Sequence, residues 1–171
     1  MSTSSVLAEI LHREHVNTAT ALSALEERIF GRDKGKPIVA TAGEGRAELQ
    51  TLLDVIDHDV KRHFRFEEDR LFPALDSRGY TELTRMLKQE HDAIRTFAAA
   101  LEAVAGRAMA DGFDRESWQA FREAGMDLIP SVMFHIQKEE TSVIKCLTFL
   151  LKAEEDRAFA EEYRLASAGE H

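Results

Sequence analysis

The chain has 171 residues, with 31 acidic against 22 basic side chains and a formal charge of −9. That length fits one domain over residues 1–171 with a real core, and the charge leaves no basic footprint for nucleic acid. Hydrophobic residues at 44% exclude a disordered chain, while a lone Cys146 excludes an internal disulfide framework and fits a reducing cytoplasm.

Met1 to Leu11 has no basic stretch followed by a long apolar one, so no signal peptide is expected. No apolar run approaches the roughly 18 residues that span a membrane. Ser4 or Ser5 can cap a first helix with Leu7, Ile10, Leu11, Leu22, Leu25 and Ile29 on one face, ending at Phe30-Gly31. A second helix begins near Glu44, carries Leu49, Leu52, Ile56, Val60 and Phe64, and stops at Pro73 and the turn Asp76-Ser77-Arg78-Gly79. Thr81 caps a third, which is expected to end at Gly106. Asp114 opens a fourth that runs to about Leu151, with Pro130 expected to kink or split it. Glu154 to Leu165 reads as a short fifth helix. The expected fold is all-α: an up-down-up-down antiparallel four-helix bundle with a short C-terminal fifth helix.

The third helix resembles the first. LHREHVNTATALSALEE aligns with LKQEHDAIRTFAAALEA, and His15 meets His91 at a shift of 91 − 15 = 76. The second and fourth share His-x-x-x-Glu-Glu, as His63, Glu67, Glu68 and His135, Glu139, Glu140, at a shift of 135 − 63 = 72. The chain therefore reads as two similar helical hairpins, each with Glu-His followed by His-x-x-x-Glu-Glu.

His63 with Glu67, and His135 with Glu139, sit one turn apart on one helix face. That face is continuous with Ile56 and Val60 on the second helix and with Leu128, Val132 and Val143 on the fourth. The pairs therefore point into the bundle, where bare carboxylates are costly unless paired, protonated or bound to metal. At roughly 1.5 Å per residue, the four histidines fall within about one turn of a common layer. Imidazole with carboxylate suits Fe, Zn or Mn, and no cysteine sulfur lies at ligand spacing. Four histidines and two glutamates exceed the needs of one tetrahedral zinc. Two ions bridged by Glu67 and Glu139, each taking two histidines, use the whole set.

Glu14, Glu90, Glu68 and Glu140 flank these residues but turn away from them, which places them at the surface or behind the ligands. His12 and His58 read as surface histidines, Arg62, Arg65 and Arg95 as a solvated face, and Cys146 as a buried small hydrophobe. Phe64, Phe97 and Phe134 read as core. Asp59, four residues before His63, is a candidate to orient that ring. His171 is terminal and uninformative.

Glu-His, His-x-x-x-Glu-Glu, Glu-His, His-x-x-x-Glu-Glu on four helices resembles the hemerythrin-like (HHE cation-binding) domain, from roughly Leu7 to Leu165. The resemblance implies a bundle holding two iron ions with an oxo or hydroxo bridge, Zn or Mn being possible substitutes. It implies the ligands His15, His63, Glu67, His91, His135 and Glu139. Oxygen-carrying hemerythrins have His-x-x-x-His on the third helix and His-x-x-x-x-Asp on the fourth. Here Arg95 stands four after His91, and Glu139 four after His135. The four-His, two-Glu set is more similar to the di-iron proteins for repair of iron centres. The expected function is a di-iron protein that binds or responds to oxygen, nitric oxide or peroxide. The alternatives are a stress-response enzyme or iron donor, and a redox-silent metal-storage or structural bundle.

Overall fold

The computed structural model describes residues 5–32 and 35–168, with side chains through residue 166. Ser4 and His171 lie outside the described residues. Helix α1 (Val6–Phe30) starts at Ser5, whose Oγ accepts from the Ala8 N–H at 3.0 Å. Helix α2 is one continuous rod made of Gly43–Asp57, His58–His63, Phe64–Phe66, Glu67–Leu71 and Phe72–Asp76. Helix α3 spans Thr81–Asp111. Helix α4 covers Arg115–Glu139 and continues through Glu140–Ile144 and Lys145–Leu150, and α5 covers Ala153–Ala168. Helix α3 packs along α4, α1 packs on α2 and α4, and α5 lies against α1. The molecule is an all-α helical bundle, and no described helix is long and apolar enough to cross a membrane.

Three local expectations are corrected. Helix α3 passes through Gly106 and ends at Gly112, whose φ of 83° is open to glycine and strained for other residues. Buried Val104, Ala105 and Ala108 on either side of Gly106 hold the helix together there. Thr81 is the first helical residue of α3 and the residue before it, Tyr80, occupies the cap. Helix α4 is unbroken at Pro130: the ring lies on the exposed face, and buried Leu128, Ile129 and Val132 pack on the other. The fourth helix opens as read, with Asp114 and Ser117 exchanging side chain-to-backbone hydrogen bonds.

Departures from α geometry occur elsewhere. His58–His63, Glu67–Leu71 and Glu140–Ile144 are π-helical. The Phe64 N–H bonds back to the Asp59 carbonyl, and the Phe72 N–H to that of Glu67, five residues away in each case. Each wider turn alters the register of side chains that follow, and such turns gather at functional positions.

The buried apolar residues form two clusters. One includes Leu22, Leu49, Ile94, Leu101, Phe121 and Leu128, and the other Leu7, Leu11, Leu71, Phe72, Leu87 and Leu147. His15, His63, Glu67, His91, His135 and Glu139 belong to neither, and all six are buried.

Candidate metal centre

Four helices each deliver a histidine to one layer: His15 from α1, His63 from α2, His91 from α3 and His135 from α4. Glu67 and Glu139 enter one turn beyond the histidines of α2 and α4. Glu67 presents Oε1 to His63 Nε2 at 3.2 Å and Oε2 to His91 Nε2 at 3.4 Å. Glu139 presents Oε2 to His15 Nε2 at 3.2 Å and Oε1 to His135 Nε2 at 3.4 Å. Each carboxylate thus spans two histidines. The layer has two ends, one at His15 and His63 with ring centroids 5.1 Å apart, the other at His91 and His135 with centroids 4.7 Å apart.

The outer nitrogens are all engaged. His63 Nδ1 meets Glu14 Oε2 at 3.1 Å, and His91 Nδ1 meets Glu68 Oε1 at 2.7 Å. His135 Nδ1 meets Glu90 Oε2 at 3.0 Å, and His15 Nδ1 meets Glu140 Oε1 at 2.7 Å. These bonds run from α1 to α2, α2 to α3, α3 to α4 and α4 back to α1, closing a ring around the bundle. The four glutamates beside the ligand positions therefore sit behind the histidines, each serving the ring of a neighbouring helix. A carboxylate at Nδ1 favours the Nδ1–H tautomer and aims the Nε2 lone pair inward.

Phe64 fixes one ring further. It stacks on His91 with centroids 3.7 Å apart and planes 7° apart, while Phe72 stacks near the same ring at 5.6 Å. Of the three phenylalanines expected in the core, Phe97 is half-buried and Phe134 is 67% exposed on the outer face of α4.

Other expectations also change. Asp59 is buried, but Glu14 already occupies His63 Nδ1, so Asp59 acts on that ring through charge alone. His58 is half-buried with Nε2 3.1 Å from Glu14 Oε1, and the more exposed His12 places Nδ1 3.0 Å from Glu140 Oε2. Arg95 donates from Nη2 to Glu68 Oε1 at 2.8 Å, so it is not simply a solvated cation. Cys146 is half-buried and joins neither group of residues able to hold a metal. Tyr163 of α5, unremarked in the sequence, is buried and donates its hydroxyl to Glu14. No spacing signal pointed to it, because α5 carries no copy of the repeated pattern.

The inner atoms decide whether a cation fits. His15 Nε2, His63 Nε2 and all four oxygens of Glu67 and Glu139 are buried without a hydrogen bond of adequate geometry. His91 Nε2 and His135 Nε2 face one another at 3.0 Å. With both Nδ1 atoms donating to glutamates, neutral rings would set two lone pairs against each other. Eight inward donor atoms without donors of their own, on two carboxylates and four imidazoles, match the needs of divalent cations. Glu67, His91, His135 and Glu139 lie close enough to hold one ion, and His15, His63 and Glu139 another.

Without a cation, protons take that place. Burial opposes charging His63, but Glu67 and Glu14 override it and hold its pKa well above the ordinary imidazole range. Burial likewise opposes charging His15 and His135, yet Glu139 with Glu140, and Glu139 with Glu90, raise them. Burial disfavours the Glu67 carboxylate, but His63 and His91 hold it well below the usual carboxylate range. Glu14 is held at about 2: burial works against its charge, and hydrogen bonds from His58, His63 and Tyr163 prevail.

Comparison with known proteins agrees with this geometry. Neither a curated protein nor a solved structure matches the chain. The family model described as the hemerythrin HHE cation binding domain matches residues 6–147, which takes in all four histidines and both carboxylates and leaves α5 outside. A helical bundle with this buried histidine–glutamate layer, matched over most of its length, belongs to the hemerythrin HHE cation-binding family.

Proposed function

We propose that His15, His63, Glu67, His91, His135 and Glu139 hold two iron ions, and that this centre binds or responds to oxygen, nitric oxide or peroxide. The observation that carries the reading is the set of buried inward atoms, Nε2 of His15 and His63 and the oxygens of Glu67 and Glu139, left without hydrogen bonds. Glu67, His91, His135 and Glu139 would hold one ion, and His15, His63 and Glu139 the other. Bound iron would supply open coordination positions and a one-electron change of oxidation state.

The protein's own residues set the conditions for that chemistry. Glu14, Glu68, Glu90 and Glu140 fix ring orientation and keep each Nε2 free of its proton once a cation competes for it. Phe64 and Phe72 wall the His91 ring with apolar surface and keep water from it. All six inner residues are at most 3% exposed, which supports a ligand of diatomic or similar size.

Anaerobic reconstitution with Fe²⁺, metal counting, and optical spectra on adding air, nitric oxide or peroxide test the reading. Two irons per chain and new bands with one of these gases or with peroxide are expected. Turnover of peroxide or nitric oxide points to the stress-response enzyme. A single tightly held zinc with featureless spectra overturns the redox reading. His63→Ala and His135→Ala should each abolish dinuclear binding, and two ions still bound in either variant refute the ligand assignment.

A further inference from the structure

Each end of the inner layer has two imidazoles, and Glu67 and Glu139 each turn one oxygen toward each end, although four residues close around the His91–His135 end and three, without Glu67, around the His15–His63 end. The outer ring treats the two ends alike, with one glutamate behind every histidine. The groups behind the glutamates do not. At the His91–His135 end, Arg95 Nη2 meets Glu68 at 2.8 Å and Lys138 Nζ pairs with Glu90. A permanent cation therefore cancels the charge of each outer carboxylate. At the His15–His63 end, Glu14 is met by His58 Nε2 at 3.1 Å and by the Tyr163 hydroxyl, and Glu140 by His12 Nδ1 at 3.0 Å. Imidazole and phenol donate hydrogen bonds without the permanent charge of a guanidinium or ammonium. Among the described residues no lysine or arginine forms an ion pair with Glu14 or Glu140.

One further carboxyl sits at the same end. Asp59 is buried one turn before His63, whereas the corresponding residue before His135 is Ser131, whose hydroxyl donates to the Asp127 carbonyl. Both differences have the same sign. Cations repel an incoming divalent ion at one end, and carboxylates without a lysine or arginine partner attract it at the other, through a buried interior where charges act strongly.

We propose that the centre fills in order: the His15–His63 end takes the first divalent cation and the His91–His135 end the second, because Arg95 and Lys138 discharge the glutamates behind the latter. This inference rests on the metal-centre reading above and sets the outer charges against the inner donor count, which taken alone favours the four-residue His91–His135 end. The two ends would then differ in how readily they release an ion, with the second site the exchangeable one.

Titrating the metal-free protein with Zn²⁺ at pH 8, with calorimetry and nitrogen-15 spectra of the histidine rings, tests the order. The expected result is two dissociation constants at least about tenfold apart. His15 and His63 ring signals should shift with the first equivalent, and those of His91 and His135 with the second. The double variant Arg95→Gln, Lys138→Gln changes no inner-layer residue, and it should tighten the second site until the two constants lie within about threefold. This is a gain of affinity, which misfolding cannot imitate. Two ions bound with all four rings shifting together, a reversed order, or an unchanged ratio in the double variant overturns the proposal and leaves the centre standing. If no zinc binds, the metal-centre reading fails and the filling order fails with it.

Discussion

Removing metal should reverse the sign of this protein's dependence on pH above neutrality. In the metal-free chain His15, His63 and His135 have pKa values raised on folding, burial being overridden by their carboxylate partners. A group raised in this way stabilises the fold fully below its unfolded value near 6.5. The stabilisation is lost as pH climbs through the folded value. Metal-free protein should therefore weaken from about pH 6.5 upward. Glu67 works the other way: its depressed value contributes above about pH 4.5 and is lost on acidification through the folded value. With metal, the same protons are displaced, so binding releases protons and strengthens as pH rises. Two ions, each at a free concentration about a hundredfold above its dissociation constant, add about 5 kcal/mol together. In a domain of this size that is about 10–20 °C in Tm. Calorimetric melts from pH 5 to 8.5, with and without Fe²⁺ under argon, measure both effects. A gap between the two curves that narrows with rising pH, or a Tm indifferent to metal at pH 8, refutes the reasoning.

Three other outcomes follow from particular contacts. Glu90→Ala removes the acceptor behind His135 and should weaken metal binding about 10–100-fold by titration, an effect of this order being usual for groups that orient a ligand. Phe64→Ala opens a cavity beside His91 and should cost about 3–5 kcal/mol in urea unfolding; a loss under 1 kcal/mol would mean that the stacked ring contributes little packing. Asp156 of α5 accepts from Ser5 Oγ and from the Val6 and Leu7 N–H groups, so Asp156→Ala should cost about 1–3 kcal/mol and expose the start of α1 to faster hydrogen exchange.

The helices and the inner layer were legible because both rest on periodicity. Four amphipathic faces, a spacing of four between His63 and Glu67, and a repeat that set His15 against His91 were enough to place six residues in one plane. What lay outside that logic depended on contacts between helices. His58 and Arg95 read as solvated, because one helix viewed alone cannot show that Glu14 and Glu68 reach across to them. Asp59 has the right spacing to hold His63, yet Glu14 arrives from α1 and takes the nitrogen first. The π-helical turns leave no local signature in composition, and they fall beside the inner residues instead of at Pro130, where a helix-breaking residue advertised a kink. Tyr163 lay beyond any repeat, on a helix the family match does not reach.

The repeated pattern holds ten histidines and glutamates, four more than a set of six ligands explains. A bridging pair of carboxylates and four imidazoles would leave Glu14, Glu68, Glu90 and Glu140 free to vary as surface residues. In the structure each instead accepts from a histidine of the next helix, so that α1 steadies α2, α2 steadies α3, α3 steadies α4, and α4 steadies α1. Losing one outer glutamate therefore disturbs an inner histidine on a different helix from its own. It also separates two roles that the pattern writes side by side: the inner glutamate would lower the charge of any bound cation, and its neighbour in sequence sets the tautomer of an imidazole. Glu67→Gln and Glu68→Gln, adjacent in the chain, should on that account fail differently, the first by removing an inner carboxylate that faces both His63 and His91, and the second by loosening His91 and releasing Arg95.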